Sequence, residues 1–83
     1  MRVRITIRLF ARLRDLVGSG RLIREVPAGA RVETVWQELA QEFPAIAGSR
    51  ASLAAAVNAE YATIAAPVTD GDEIAFLPPV SGG

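Results

Sequence analysis

The last six residues, Pro78-Pro79-Val80-Ser81-Gly82-Gly83, are the segment of this sequence whose types and spacing best suit chemistry. Two prolines remove two backbone donors, stop strand pairing and hold the exit stiff and extended. Two glycines without side chains can thread a channel too narrow for a Cβ. Such a stem suits delivery of a bare terminal carboxylate into the active site of another protein. The rest of the chain offers little else. It has no Cys, no His and no Lys, and all nine basic residues are Arg. That composition excludes a thiolate nucleophile, a zinc–thiolate site, an imidazole base and a lysine Schiff base. Carboxylates, a few hydroxyls and Tyr61 remain. Glu60, Asp70, Asp72 and Glu73 could be read as a metal cluster, but Asp70 and Asp72 flank a turn glycine, where the usual role is local backbone bonding. No metal site is expected.

The elements that must carry this tail follow from periodicity. Residues 3–9 alternate, with Val3, Ile5, Ile7 and Leu9 on one parity and Arg4, Thr6 and Arg8 on the other, as in a half-buried strand. Residues 12–17 suit a short helix, and Gly18-Ser19-Gly20 reverses the chain into a second strand over 22–26, whose alternation is poor. Val32, Val35, Trp36, Leu39 and Phe43 form one apolar helical stripe, which places Trp36 in the core, and Pro44 stops that helix. Residues 45–52 read as a connector with at most one helical turn. A third strand over 53–57, a turn at 58–60, a short fourth strand over 61–64, a tight turn at Asp70-Gly71-Asp72 and a last strand over 73–77 complete the chain. Two strands, one main helix, then two or three strands fit an α+β β-grasp, or ubiquitin-like, roll with a mixed sheet. The expected organisation is one domain over 1–77 and a flexible tail over 78–83, mobile without a partner because no side chain after Val80 can anchor it.

Charge is balanced, nine basic against nine acidic residues, so no net positive field gathers nucleic acid or anionic membrane. The N-terminus lacks a signal pattern and no apolar run approaches a membrane span, so a cytoplasmic protein is expected. If Ile5, Ile7 and Leu9 point inward, Phe10 faces the other side by alternation, and so do Ala75 and Leu77 if Ile74 and Phe76 point in. These groups, with Tyr61 and a polar rim of Arg8, Arg12 or Arg14, outline a partner-docking face near the base of the tail.

Ala55-Ala56-Val57-Asn58, the run from Asp70 to Leu77, the Pro-Pro-Val-Ser-Gly-Gly ending and the stretch from Phe10 to Gly18 closely resemble the small subunit of molybdopterin synthase. The wider group of ubiquitin-like sulfur carriers, which includes the thiamin carrier, shares the terminal Gly-Gly but usually not the two prolines. Two departures fall outside the tail: Arg24 stands where relatives often place an apolar residue, and Arg31 precedes the main helix where Ser, Thr or Asp would cap better.

The resemblance implies a sulfur carrier that binds no cofactor of its own. An adenylating enzyme would use ATP to activate the carboxylate of Gly83. Sulfur would replace the adenylate to give a covalent thiocarboxylate. The large synthase subunit, in an assembly of two small and two large chains, would pass that sulfur to cyclic pyranopterin monophosphate, forming the molybdopterin dithiolene. The carrier is then a non-catalytic, sulfur-donating subunit. Gly83 would bear the sulfur, Pro78, Pro79, Val80, Ser81 and Gly82 would lie in the partners' grooves, and Phe10, Arg14, Tyr61 and Leu77 would contact partners. Protein modification through an isopeptide bond, sulfur carriage for thiamin or another pathway, and a plain interaction module are the competing readings.

Overall fold

The computed structural model describes residues 1–77, the side chains of Ala51 and Ser52 excepted. In chain order the elements are β1 (Arg2–Leu9), α1 (Ala11–Val17), β2 (Arg21–Pro27), α2 (Val32–Glu42), a 3-10 segment (Pro44–Ser52), β3 (Ala54–Val57), β4 (Glu60–Ala62) and β5 (Glu73–Leu77). The strands form one sheet in the order β2-β1-β5-β3-β4. β1 and β5 are parallel, whereas β1–β2, β3–β5 and β3–β4 are antiparallel. This is the mixed sheet of the expected β-grasp, with the first and last strands side by side at its centre.

The core lies between one sheet face and α2. Ile5, Ile7, Leu9, Val26, Ala55, Ile74 and Phe76 meet the helical stripe Val32, Val35, Trp36 and Leu39, and Ile46 and Val68 close its ends. Trp36 packs edge-on against Phe76, ring centroids 5.1 Å apart, a geometry that adds to area burial. No polar or charged residue is buried among the described residues. None of their helices is long and apolar enough to cross a membrane.

Both local weaknesses expected from the sequence are compensated. Arg31 is a poor cap by type, yet its own N–H donates to Thr34 Oγ1 at 3.2 Å and its guanidinium donates to the Ala65 carbonyl at 2.7 Å. The N–H groups of Val32 and Glu33 donate to the carbonyls of Ala66 and Ile64, so a distant loop satisfies the helix start. The second strand alternates better than its sequence suggests. Leu22, Arg24 and Val26 share the inward parity, and Arg24 forms a bidentate pair with Glu42, Nε–Oε1 2.9 Å and Nη2–Oε2 2.5 Å. This pair sets a cation beside the negative end of α2. It holds the Glu42 carboxyl below its ordinary pKa.

The acidic turn is tied up in backbone bonding. Arg4 N–H donates to Asp70 Oδ1 and Thr69 N–H to Asp72 Oδ2, each at 2.8 Å, and the Asn58 amide donates to Asp72 Oδ1 at 2.9 Å. The Thr69 N–H, then the Asn58 amide, hold the Asp72 carboxyl below its usual range. Gly71 supplies the left-handed residue, φ 87°, that this turn requires.

Candidate functional site

The sheet has one face without a helix, and its residues follow from register. Residues directly opposite on paired strands share a face. One row runs across all five strands as Arg21, Arg8, Ala75, Ala56 and Tyr61. In the next row, one residue beyond the Leu9–Phe76 pair, lie Phe10 and Leu77, the latter paired with Ala54. Small alanines keep the middle of this face low, while Tyr61 stands 77% exposed at the far edge and Phe10 stands 38% exposed at the corner. Phe10 is extended and leads into α1. Ala11 then turns the chain through a left-handed conformation, φ 51°.

Phe10 and Leu77 therefore lie on one open face, as alternation predicts, and the Ala75–Ala56–Tyr61 row brings Tyr61 to the same face. Leu77 is the last described residue and lies beside Phe10 at a corner of this face, one residue beyond the Leu9–Phe76 pair. Arg14 is elsewhere. Its stem crosses the turn after α1, where a Cβ built on Gly20 would come within 3.2 Å of Arg14 Cδ, so it flanks the β2 side of the corner, far from Tyr61. Arg8 is not a rim residue. It stands in the interior of the face between Arg21 and Ala75, with its guanidinium carbon 5.7 Å from the Phe10 ring centroid, within range of a cation–π contact.

Arg21, Ala54 and Ala56 belong to this face and were not singled out from the sequence. A strand's parity is visible in its residues, but the row each residue joins depends on pairing between distant segments. Pro78, Pro79, Val80, Ser81, Gly82 and Gly83, with the expected mobility of the tail, lie outside the described residues. Among the described residues no group of three or more Asp and Glu side chains could hold a metal; Asp70 accepts from the β1 backbone at Arg4, and Asp72 from the Thr69 N–H and the Asn58 amide.

A match to the ThiS family model spans residues 7–83. The chain belongs to the ThiS family. This ThiS-family chain is 42% identical over 82 residues to the molybdopterin synthase sulfur carrier subunit of Escherichia coli (strain K12), covering 95% of this chain and 99% of that protein. It is 40% identical over 81 residues to the protein of the same name from Arabidopsis thaliana, covering 98% of this chain and 84% of that protein. Among solved structures, the crystal structure of SAMP1 from Haloferax volcanii superposes with a TM-score of 0.83 at 30% identity, covering 96% of this chain and 99% of that one. Both the ubiquitin-like fold and the resemblance read from the Asp70–Leu77 run and the tail are thereby supported over nearly the whole ThiS-family chain.

Proposed function

We propose that this protein is the sulfur-carrying small subunit of a molybdopterin synthase, with Gly83 as the residue that bears the sulfur. The observation that carries this reading is the near end-to-end similarity to sulfur carrier subunits of that enzyme, in a chain without any Cys, His or Lys to do chemistry of its own. The carboxylate of Gly83 attacks the α-phosphorus of ATP on an adenylating enzyme and releases pyrophosphate. The resulting acyl adenylate is a good electrophile, and a sulfide equivalent displaces AMP to leave a thiocarboxylate. In the large subunit the thiocarboxylate sulfur attacks a side-chain carbon of cyclic pyranopterin monophosphate and displaces the oxygen held there; water then cleaves the acyl C–S bond of the resulting thioester, leaving the sulfur on the pterin and returning the carboxylate. None of these steps asks the carrier for a base or a metal. The lack of Cys also removes an internal thiol that would compete for the activated carbonyl.

The tail 78–83 is the delivery arm, and the open sheet face beside it is the docking surface. Phe10, Leu77 and Tyr61 supply apolar contact, Ala54, Ala56 and Ala75 allow close approach, and Arg14 touches the partner at the β2 side. The adenylating enzyme and the large subunit use this face in turn, since each must receive the same tail.

Intact mass after co-expression with the adenylating enzyme and a sulfur donor tests the chemistry. The expected result is a shift equal to one oxygen exchanged for sulfur, absent when Gly83 is deleted. An unchanged mass with an active adenylating partner overturns the reading. The likeness to SAMP1, a small archaeal modifier protein, favours protein modification as the second reading, and it predicts conjugates in lysate that vanish with the same deletion.

A further inference from the structure

Arg8 and Arg21 sit directly opposite each other on antiparallel strands and on the same open face. Like charges in that arrangement repel and cost stability. Nothing nearby relieves the repulsion well. Arg8 Nη1 is 3.7 Å from Glu73 Oε2, beyond hydrogen-bonding reach, and the Arg21 side chain forms no ion pair among the described residues. Arg8 Nε is shut off from solvent and has no hydrogen-bond partner, which leaves the guanidinium partly desolvated and under-satisfied. The Phe10 ring holds that guanidinium in place from one side, and the Arg8 side chain remains 39% exposed. A partly desolvated cation, only loosely paired with Glu73 and beside a second cation, is poorly suited to the free protein. It becomes well suited when an anion covers it.

We infer that Arg8 and Arg21 form a receiving site for a single carboxylate, an Asp or Glu side chain presented by the partner protein that docks on this face. The guanidinium fork matches a carboxylate in plane and spacing, and bonds to an ionised acceptor are the strong ones. The surrounding Phe10, Ala75 and Leu77 would exclude water once the partner is seated, which raises the worth of the pair. The acidic group also cancels the Arg8–Arg21 repulsion. Binding therefore gains what folding gave up, and partners lacking a carboxylate at this point are rejected because two cations would be buried unpaired.

The inference rests on the sulfur-carrier reading for the choice of partner, so the test uses the large synthase subunit of the same organism with the full-length protein. Dissociation constants are measured by calorimetry at low and high salt for wild type, R8Q, R21Q, the double variant and R50Q. Arg50 pairs with Glu33 on the helical side of the molecule, so R50Q makes the same charge change away from the face. The expected result is a loss of about 10- to 100-fold for R8Q and for R21Q, less than the product of the two for the double variant, and about threefold or less for R50Q. Thermal midpoints of free R8Q and R21Q should equal or exceed that of wild type, because repulsion is relieved. Wild-type binding left unchanged by R8Q and R21Q overturns the site, and so does an equal loss in R50Q, which would mean diffuse attraction alone. Lowered midpoints that track the affinity losses would assign both residues a structural role instead. Failure of wild type itself to bind removes the sulfur-carrier partner and the inference with it.

Discussion

Asn58 and Ala59 make the tightest demand on the backbone. They form a two-residue turn between β3 and β4, closed by the Val57–Glu60 pair, and both have positive φ, 51° and 71°. That is the type I′ geometry whose twist suits a hairpin. Asn58 is fitted for it. Its N–H donates to the Glu73 carbonyl at 2.8 Å, and its side chain receives the Glu73 N–H at 3.0 Å while donating to Asp72. One residue thus ties the hairpin to the turn that precedes β5. Ala59 has no such compensation, and an L-residue there costs about 1–2 kcal/mol. Glycine removes that strain and gives back about 0.5–1 kcal/mol in chain entropy. Ala59→Gly should therefore raise the unfolding free energy by about 0.5–1 kcal/mol. A urea titration with an unchanged slope would read this from the midpoint, and a lower midpoint would contradict it.

At the scale of elements, the Arg24–Glu42 pair is the main side-chain link between β2 and the end of α2. Both side chains are more than a third exposed, so the pair is worth only about 0.2–1 kcal/mol. Arg24→Ala should cost more than that, about 1–1.5 kcal/mol, because it also removes the stem that covers the core edge and leaves Glu42 facing the negative helix end. Glu42→Ala should fall within about 0.5 kcal/mol of wild type, since the lost pair and the removed dipole clash offset each other. A double-mutant cycle in denaturant would measure the coupling, and a value near zero would reduce the pair to a surface accident. This pair also marks the limit of what the sequence discloses. Elements with strong internal period, such as β1, α2 and β5, are legible because each carries its own pattern of apolar residues. Arg24 looked misplaced because its partner lies 18 residues away, and Arg31 looked like a weak cap because carbonyls of residues 64–66 complete the helix start. The same diversion explains β4. A strand over 61–64 was expected, but Ile64 turns its carbonyl to α2 and the strand ends at Ala62. The connector after α2 is likewise longer than one turn, a 3-10 segment over Pro44–Ser52, since small residues without a period leave its extent unwritten. The open sheet face is legible in its large groups, Phe10, Tyr61 and Leu77, and illegible where small or charged residues gain meaning only from cross-strand rows.

Across the whole molecule, a formal charge of zero conceals a local gathering of arginines. The parallel β1–β5 register brings Arg8, Phe10, Leu77 and, through β2, Arg21 to one end, beside Arg12 and Arg14 of α1. Asp70 and Asp72 lie at the opposite end, where they accept from the N–H groups of Arg4 and Thr69, while the Glu73 side chain comes within 3.7 Å of Arg8. On the proposed reading, an acidic partner surface would be drawn to the Phe10–Leu77 corner. Tyr61 stands at the far edge of the same face, 77% exposed, so Tyr61→Ala should leave the thermal midpoint within about 2–4 °C of wild type and, on the proposed reading, weaken capture by a large synthase subunit about tenfold or more. Equal affinity would restrict docking to the Phe10–Leu77 corner. The parallel pair has a consequence of another kind. β1 is the first strand to leave the ribosome and β5 is the last of the described strands to do so, yet they are neighbours at the centre of the sheet. Ile5 and Ile7 must wait for Ile74 and Phe76 before their side of the core closes, and contacts so distant in sequence form late. A nascent chain interrupted before residue 73 has no central strand to complete, no open face in register and no corner at which to present an end. Prematurely terminated products should thus be recognised as unfolded and degraded.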